Sequence, residues 1–90
     1  MKQIVLNGKE IISEQALHEL LSQALDFPGW YGNNLDALFD CLTDITDKTE
    51  ILLTESDDLI AKLGERGLLI LTVLRDAAAE NSNIKISVQK

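Results

Sequence analysis

The spacing of apolar and polar residues changes along the chain, and each change marks an element. Gln3–Leu6 is a short apolar run that stops at the turn dipeptide Asn7-Gly8, which predicts a first strand. Ser13 then stands as an N-cap. Ala16, Leu17, Leu20, Leu21, Ala24 and Leu25 recur at helical spacing, with Ile12 placed to staple onto Leu17. An amphipathic helix is predicted there. Phe27-Pro28-Gly29 ends it, because proline fixes φ and glycine accepts the positive φ of a type II turn.

A loop with Trp30, Tyr31 and Gly32 leads to Asn33 or Asn34, either of which can cap a second helix reaching about Thr43. Glu50–Thr54 predicts a second strand, and Thr54 or Ser56 a cap for a short third helix. Leu59, Ile60 and Leu63 form that helix's inner face, and Gly64 closes it. From Arg66–Leu68 the run LLILTVLRDAAAE predicts a fourth, largely buried helix that stops at Asn81. Ile84, Ile86 and Val88 alternate with Lys85, Ser87 and Gln89, a strand apolar on one face only.

About 43 residues separate Leu6 from Glu50 and about 30 separate Leu53 from Ile84, gaps that suit crossovers between parallel strands. Polar positions inside the strands argue that helices cover mainly one sheet face. The expected architecture is a two-layer α/β domain in the order β-αα-β-αα-β, occupying residues 1–90 as one unit.

Composition narrows the function. At 46% apolar residues, with Gly 5 and Pro 1, the chain is neither disordered nor fibrous. Its one cysteine, Cys41, rules out an internal disulfide or a multi-cysteine metal site. The N-terminus MKQIVLNGKE has no long apolar stretch, so a cytoplasmic location is expected. A net charge of −7 argues against nucleic acid and anionic membranes as partners and favours a basic one.

That charge is concentrated. Residues 10–47 hold Glu10, Glu14, Glu19, Asp26, Asp36, Asp40, Asp44 and Asp47 but no Lys or Arg, and Phe27, Trp30, Tyr31 and Phe39 lie in the same stretch. Advancing about 100° per residue from Leu35 puts Leu38, Phe39 and Leu42 on one stripe and Asp36, Asp40 and Asp44 in a row opposite it. Like charges four apart destabilise a helix by roughly 0.2–0.5 kcal/mol per pair, and anions near its C-terminus are unfavourable. No base within the helix offsets them, although a distant one such as Arg75 could. A locally unfavourable row points to a function.

Two classes of function use these residues. A binding surface would combine the acidic row with exposed Trp30 and Tyr31 as anchors for a cationic partner, and a phosphate-binding protein site is a natural target because carboxylates can replace phosphates there. An enzyme would use Asp36 and Asp40 as an acid–base pair. The supporting groups for catalysis are missing. His18 reads as a surface or boundary residue, Cys41 as a packing residue, and no Gly-rich phosphate loop or nucleophile elbow is present. Asp44–Asp47 and Glu55–Asp58 lack calcium-loop spacing, so no metal or cofactor is expected.

The segment Trp30-Tyr31-Gly32-Asn33-Asn34-Leu35-Asp36-Ala37-Leu38-Phe39-Asp40-Cys41-Leu42-Thr43 closely resembles the signature of the barstar family, intracellular inhibitors of the secreted ribonuclease barnase. The likeness extends from the strand ending in Asn7-Gly8 to Val73-Leu74-Arg75-Asp76-Ala77 and the last strand. It implies a three-stranded parallel sheet in the order 1-2-3 with four helices. It also implies that the second helix and the loop before it plug the active site of a guanyl-specific ribonuclease.

On that likeness Asp40 takes the central role in the enzyme's phosphate-binding cluster, with Asp36 and Trp30 beside it. Gly32, Asn34 and Phe39 frame the contact, Tyr31, Thr43 and Asp44 complete the expected partner-binding residues, and Asp76 lies where the family can place a peripheral glutamate. Phe39 replaces a frequent tryptophan, Asn33 a common acid, and Asp44 and Asp47 add acid beyond the family pattern. The resulting expectation is a non-enzymatic inhibitor, monomeric when free, that occludes a barnase-like ribonuclease. The alternative is an acidic binding module or immunity protein of the same fold, directed at a different basic toxin or enzyme.

Overall fold

A computed structural model describes residues 1–90. The elements are β1 (Lys2–Asn7), α1 (Glu14–Leu25), α2 (Leu35–Thr43), β2 (Thr49–Thr54), α3 (Ser56–Leu63), α4 (Glu65–Glu80) and β3 (Ile84–Val88). The strands are parallel in the order β1-β2-β3. Class, element order and strand order all match the expectation.

Register explains the layering. Ile4 lies opposite Ile51 and Ile51 opposite Ile86, while Leu6, Leu53 and Val88 form the next row, so one sheet face is apolar from edge to edge. The helices pack on that face and close a core that includes Leu17, Leu21, Leu38, Leu42, Leu59, Ile70 and Leu74. The other face stays open. Gln3, Glu50 and Lys85 are in register across it, Gln3 donates to Glu50 Oε1 at 2.8 Å, and the neighbouring Val5 is exposed.

Several local features depart from the pattern-based reading. Ile11 is buried while Ile12 is 79% exposed, the reverse of the staple expected. Ser13 enters α1 with extended backbone, and successive side chains on an extended chain point oppositely, so only one isoleucine can face the core. The cap of α3 is neither Thr54 nor Ser56. Only Glu55 separates β2 from α3, and it makes the turn in the left-handed region at φ 53. Ser56 is instead the first helical residue, and its N–H donates to Gln89 O at 3.0 Å. Nor is α4 buried all round: Gly67, Ile70, Leu71, Leu74 and Ala77 face inward while Leu68 and Leu69 are exposed.

Gly8 permits the close approach that ends β1. A Cβ there would lie 2.2 Å from the carbonyl oxygen of Glu55, so no larger residue fits without moving the turn into α3. A second clamp holds α2. Asn81, the buried C-cap of α4, donates its side-chain amide to the carbonyls of Leu42 at 3.0 Å and Ile45 at 2.9 Å, with Thr43 O at 3.3 Å. These carbonyls lie at the end of α2, where intrahelical donors run out. The amide therefore ties the ends of α2 and α4 together.

Asn81→Ala is expected to lower stability by about 1–3 kcal/mol, because the carbonyls lose their buried donor. Urea titration followed by far-UV circular dichroism measures the loss, and an unchanged midpoint would contradict the clamp.

Candidate functional site

The loop before α2 is shaped by a chain of short-range constraints. Tyr31 N–H donates to Pro28 O at 3.0 Å, closing the turn through Pro28-Gly29. Asn33 sits at φ 53, a left-handed conformation that asparagine tolerates better than most residues. Asn34 then caps α2, its Oδ1 accepting from Ala37 N–H at 2.8 Å. Of the two candidate caps, Asn34 takes the role and Asn33 makes the turn. Gly32 lies tight against Asn34, since a Cβ on it would be 3.0 Å from the Asn34 amide nitrogen.

α2 carries its two faces as the helical phase predicted. Leu38, Cys41 and Leu42 are buried, and Phe39 packs half-buried against the core. Asp36, Asp40 and Asp44 are exposed. No ion pair within 4.0 Å reaches any of the three, so Arg75 does not neutralise the row. Asp44 is the C-cap of α2, with its N–H on Asp40 O at 3.2 Å. Thr43 Oγ1 donates back to Phe39 O at 3.0 Å and to Asp40 O at 3.1 Å, leaving the hydroxyl committed to the helix.

The aromatics divide. Trp30 is 64% exposed, whereas Tyr31, expected to be exposed beside it, is half-buried against the core. Its ring lies 4.9 Å from Phe27 at an interplanar angle of 57° and 5.7 Å from the imidazole of His18. His18 is only 1% exposed, which corrects its reading as a surface or boundary residue. Its place in the sequence carried the signal: with Leu21 and Leu25 it follows a three–four spacing on the inner face of α1. Asp76 stands exposed on α4, off the loop and off α2, although α4 packs against α2.

His18 connects three elements. Nδ1 hydrogen bonds to the Tyr31 hydroxyl, and Nε2 lies 3.6 Å from Glu14 Oε2, beyond hydrogen-bond distance. The nearby carboxylate favours the proton on Nε2, so Tyr31 donates to Nδ1. Glu14 is in turn gripped by Arg66 through two hydrogen bonds of 2.9 and 2.7 Å. Those bonds hold the Glu14 carboxyl below its ordinary range. Burial depresses the His18 pKa although Glu14 pulls the other way, and burial raises that of Tyr31. Both rings are therefore neutral near pH 7. Burial, followed by Asp44 and Asp40, also raises the Cys41 thiol, an inert packing group rather than a nucleophile.

The helices are not built to span a bilayer, since none is long and apolar enough to cross a membrane. The arrangement offers an exposed acidic row and an exposed indole, on a loop fixed from behind by a buried histidine. Comparison with known proteins points the same way. The family described as Barstar (barnase inhibitor) matches residues 1–89. A protein of Bacillus subtilis (strain 168), named "Putative ribonuclease inhibitor YrdF", is 36% identical over 81 residues, a span of 89% of each chain.

Two results are expected from this geometry. Tyr31→Phe leaves His18 Nδ1 buried without a partner and lowers stability by about 1–3 kcal/mol, read from urea midpoints. The His18 contribution is intact above the unfolded value of about 6.5 and declines as pH falls toward the depressed folded value, because the unfolded chain takes the proton first. Glu14 adds a second decline below about 4.5. His18→Gln removes the first decline and keeps the second; a wild-type stability that is flat from pH 7 to about 5 would refute the assignment.

Proposed function

The chain belongs to the barstar family, whose members are inhibitors rather than enzymes, and from that premise we propose that it inhibits a barnase-like secreted ribonuclease by covering its active site. The contact surface is the Trp30–Thr43 segment with Asp44, joined by Asp76 at its edge. Asp40 enters the enzyme's phosphate-binding cluster and pairs with the arginine and lysine side chains that hold the RNA backbone during catalysis. Asp36 supports it, Trp30 supplies an apolar anchor, and Tyr31, Gly32, Asn34, Phe39 and Thr43 fix the shape of the loop and helix. Inhibition is stoichiometric, acts in the cytoplasm, and needs no cofactor.

The observation that carries this reading is the row of exposed aspartates on α2 with no cation of the chain's own beside it. Like charges held together in water repel, and a complementary cationic cleft relieves that repulsion on binding. Field-assisted encounter also follows, because the negative surface acts over about 8–10 Å at moderate ionic strength.

Barnase serves as the first ribonuclease for the test. Asp40→Ala is expected to weaken inhibition by about 3–5 kcal/mol, a factor of a few hundred to a few thousand, because it strands desolvated cations in the cleft. Asp76→Ala, at the edge, is expected to weaken it by about 1 kcal/mol or less. Association should slow as salt rises past about 0.15 M. Equal inhibition by wild type and Asp40→Ala would refute the proposed surface.

A further inference from the structure

The C-termini of α1 and α2 converge on one small cavity. α1 ends at Leu25 with Asp26 as its cap and α2 ends at Thr43 with Asp44 as its cap, and neither helix has a basic residue in its last turn. Leu25, Phe27, Trp30 and Ile45 wall a cavity of about 210 Å³ that Asp26 and Asp44 also line. A helix C-terminus presents roughly half a negative charge. The end of α1 and two carboxylates therefore act on the same opening, while at the end of α2 the Asn81 amide already engages the carbonyls. The only cation within 4.0 Å of either carboxylate is Lys2, whose Nζ lies 3.9 Å from Asp26; the aspartate is 89% exposed and the lysine 41%, and a contact at the edge of ion-pair distance is one that a competitor displaces at little cost.

Apolar walls beneath a negative rim match a side chain that is apolar along its stem and positive at its tip. Trp30 sharpens the choice, because a planar guanidinium stacks on an indole face and meets a carboxylate with paired hydrogen bonds, which an ammonium does not. The cavity is also continuous with the surface described above, since Trp30 and Asp44 belong to both.

We propose that this cavity is a receptacle for an arginine side chain of the inhibited ribonuclease, a specificity contact distinct from the Asp36–Asp40 row. The identity of the protein that supplies the arginine rests on the inhibitor reading. The cavity's preference for a guanidinium does not.

The test therefore uses the free, full-length, ¹⁵N-labelled chain, titrated separately with n-butylguanidinium, n-butylammonium and n-pentanol. Butylguanidinium, with about eight non-hydrogen atoms, is expected to saturate with a Kd in the range of about 1–20 mM. It should move the Trp30 indole N–H and the amides of Leu25 and Ile45, and it should bind more tightly than butylammonium, with pentanol weakest. Asp26→Asn combined with Asp44→Asn should weaken butylguanidinium about 2- to 30-fold and leave pentanol unchanged. Pentanol or butylammonium binding as tightly as butylguanidinium overturns the proposal, and so do shifts that fail to saturate or that map to Asp36 and Asp40. Failure of the inhibitor reading would show separately, as equal ribonuclease inhibition by wild type and Asp40→Ala with the titration unaffected.

Discussion

α2 must be held by what lies beneath it, because its outer surface works against it. Two aspartates one turn apart repel, aspartate is a mediocre helix former, and Asp40 lies toward the negative end of the dipole; together these disfavour the helix by about 1–3 kcal/mol. Burial of Leu38 and Leu42, both fully enclosed, opposes this with roughly 1.5–3 kcal/mol each. The Asn34 cap at one end and the Asn81 amide at the other fix the two termini. Packing thus wins over local preference, and the exposed face is free to carry charges that the isolated segment would not support.

The loop preceding α2 is stabilised differently. Its residues have little core of their own, and Tyr31 anchors it by sending a hydroxyl to an imidazole enclosed in α1. That imidazole is steadied in turn by the Glu14–Arg66 pair, which bridges the first turns of α1 and α4. Trp30 reaches solvent because its neighbour is turned inward; one ring is anchored and the other presented.

The architecture could be read from the sequence because it depends on periodicity. Alternation in Ile84–Val88 and the three–four spacing in α1, α2 and α4 identify strands and helices whatever their partners, and the half-polar strands foretell an open sheet face. The acidic row was legible for the same reason, since helical phase alone separates Asp36 and Asp40 from Leu38 and Leu42. What escaped depends on three dimensions. His18 was misjudged by residue type, because only the fold supplies the hydroxyl that makes a buried imidazole tolerable. Ile11 and Ile12 are chemically equal, and the choice between them follows from the direction of an extended entry to α1. Asn81 could be read as a helix stop, but its three carbonyl contacts lie 36 to 39 residues away in sequence.

The exposure of Trp30 governs how this molecule responds to light. It is the only indole in the chain and is already largely hydrated in the native state. Unfolding therefore changes its surroundings little, and its emission is a poor gauge of folding. A ligand or protein that covers the loop removes that water, so the same chromophore becomes a native optical reporter of occupancy, with no attached dye.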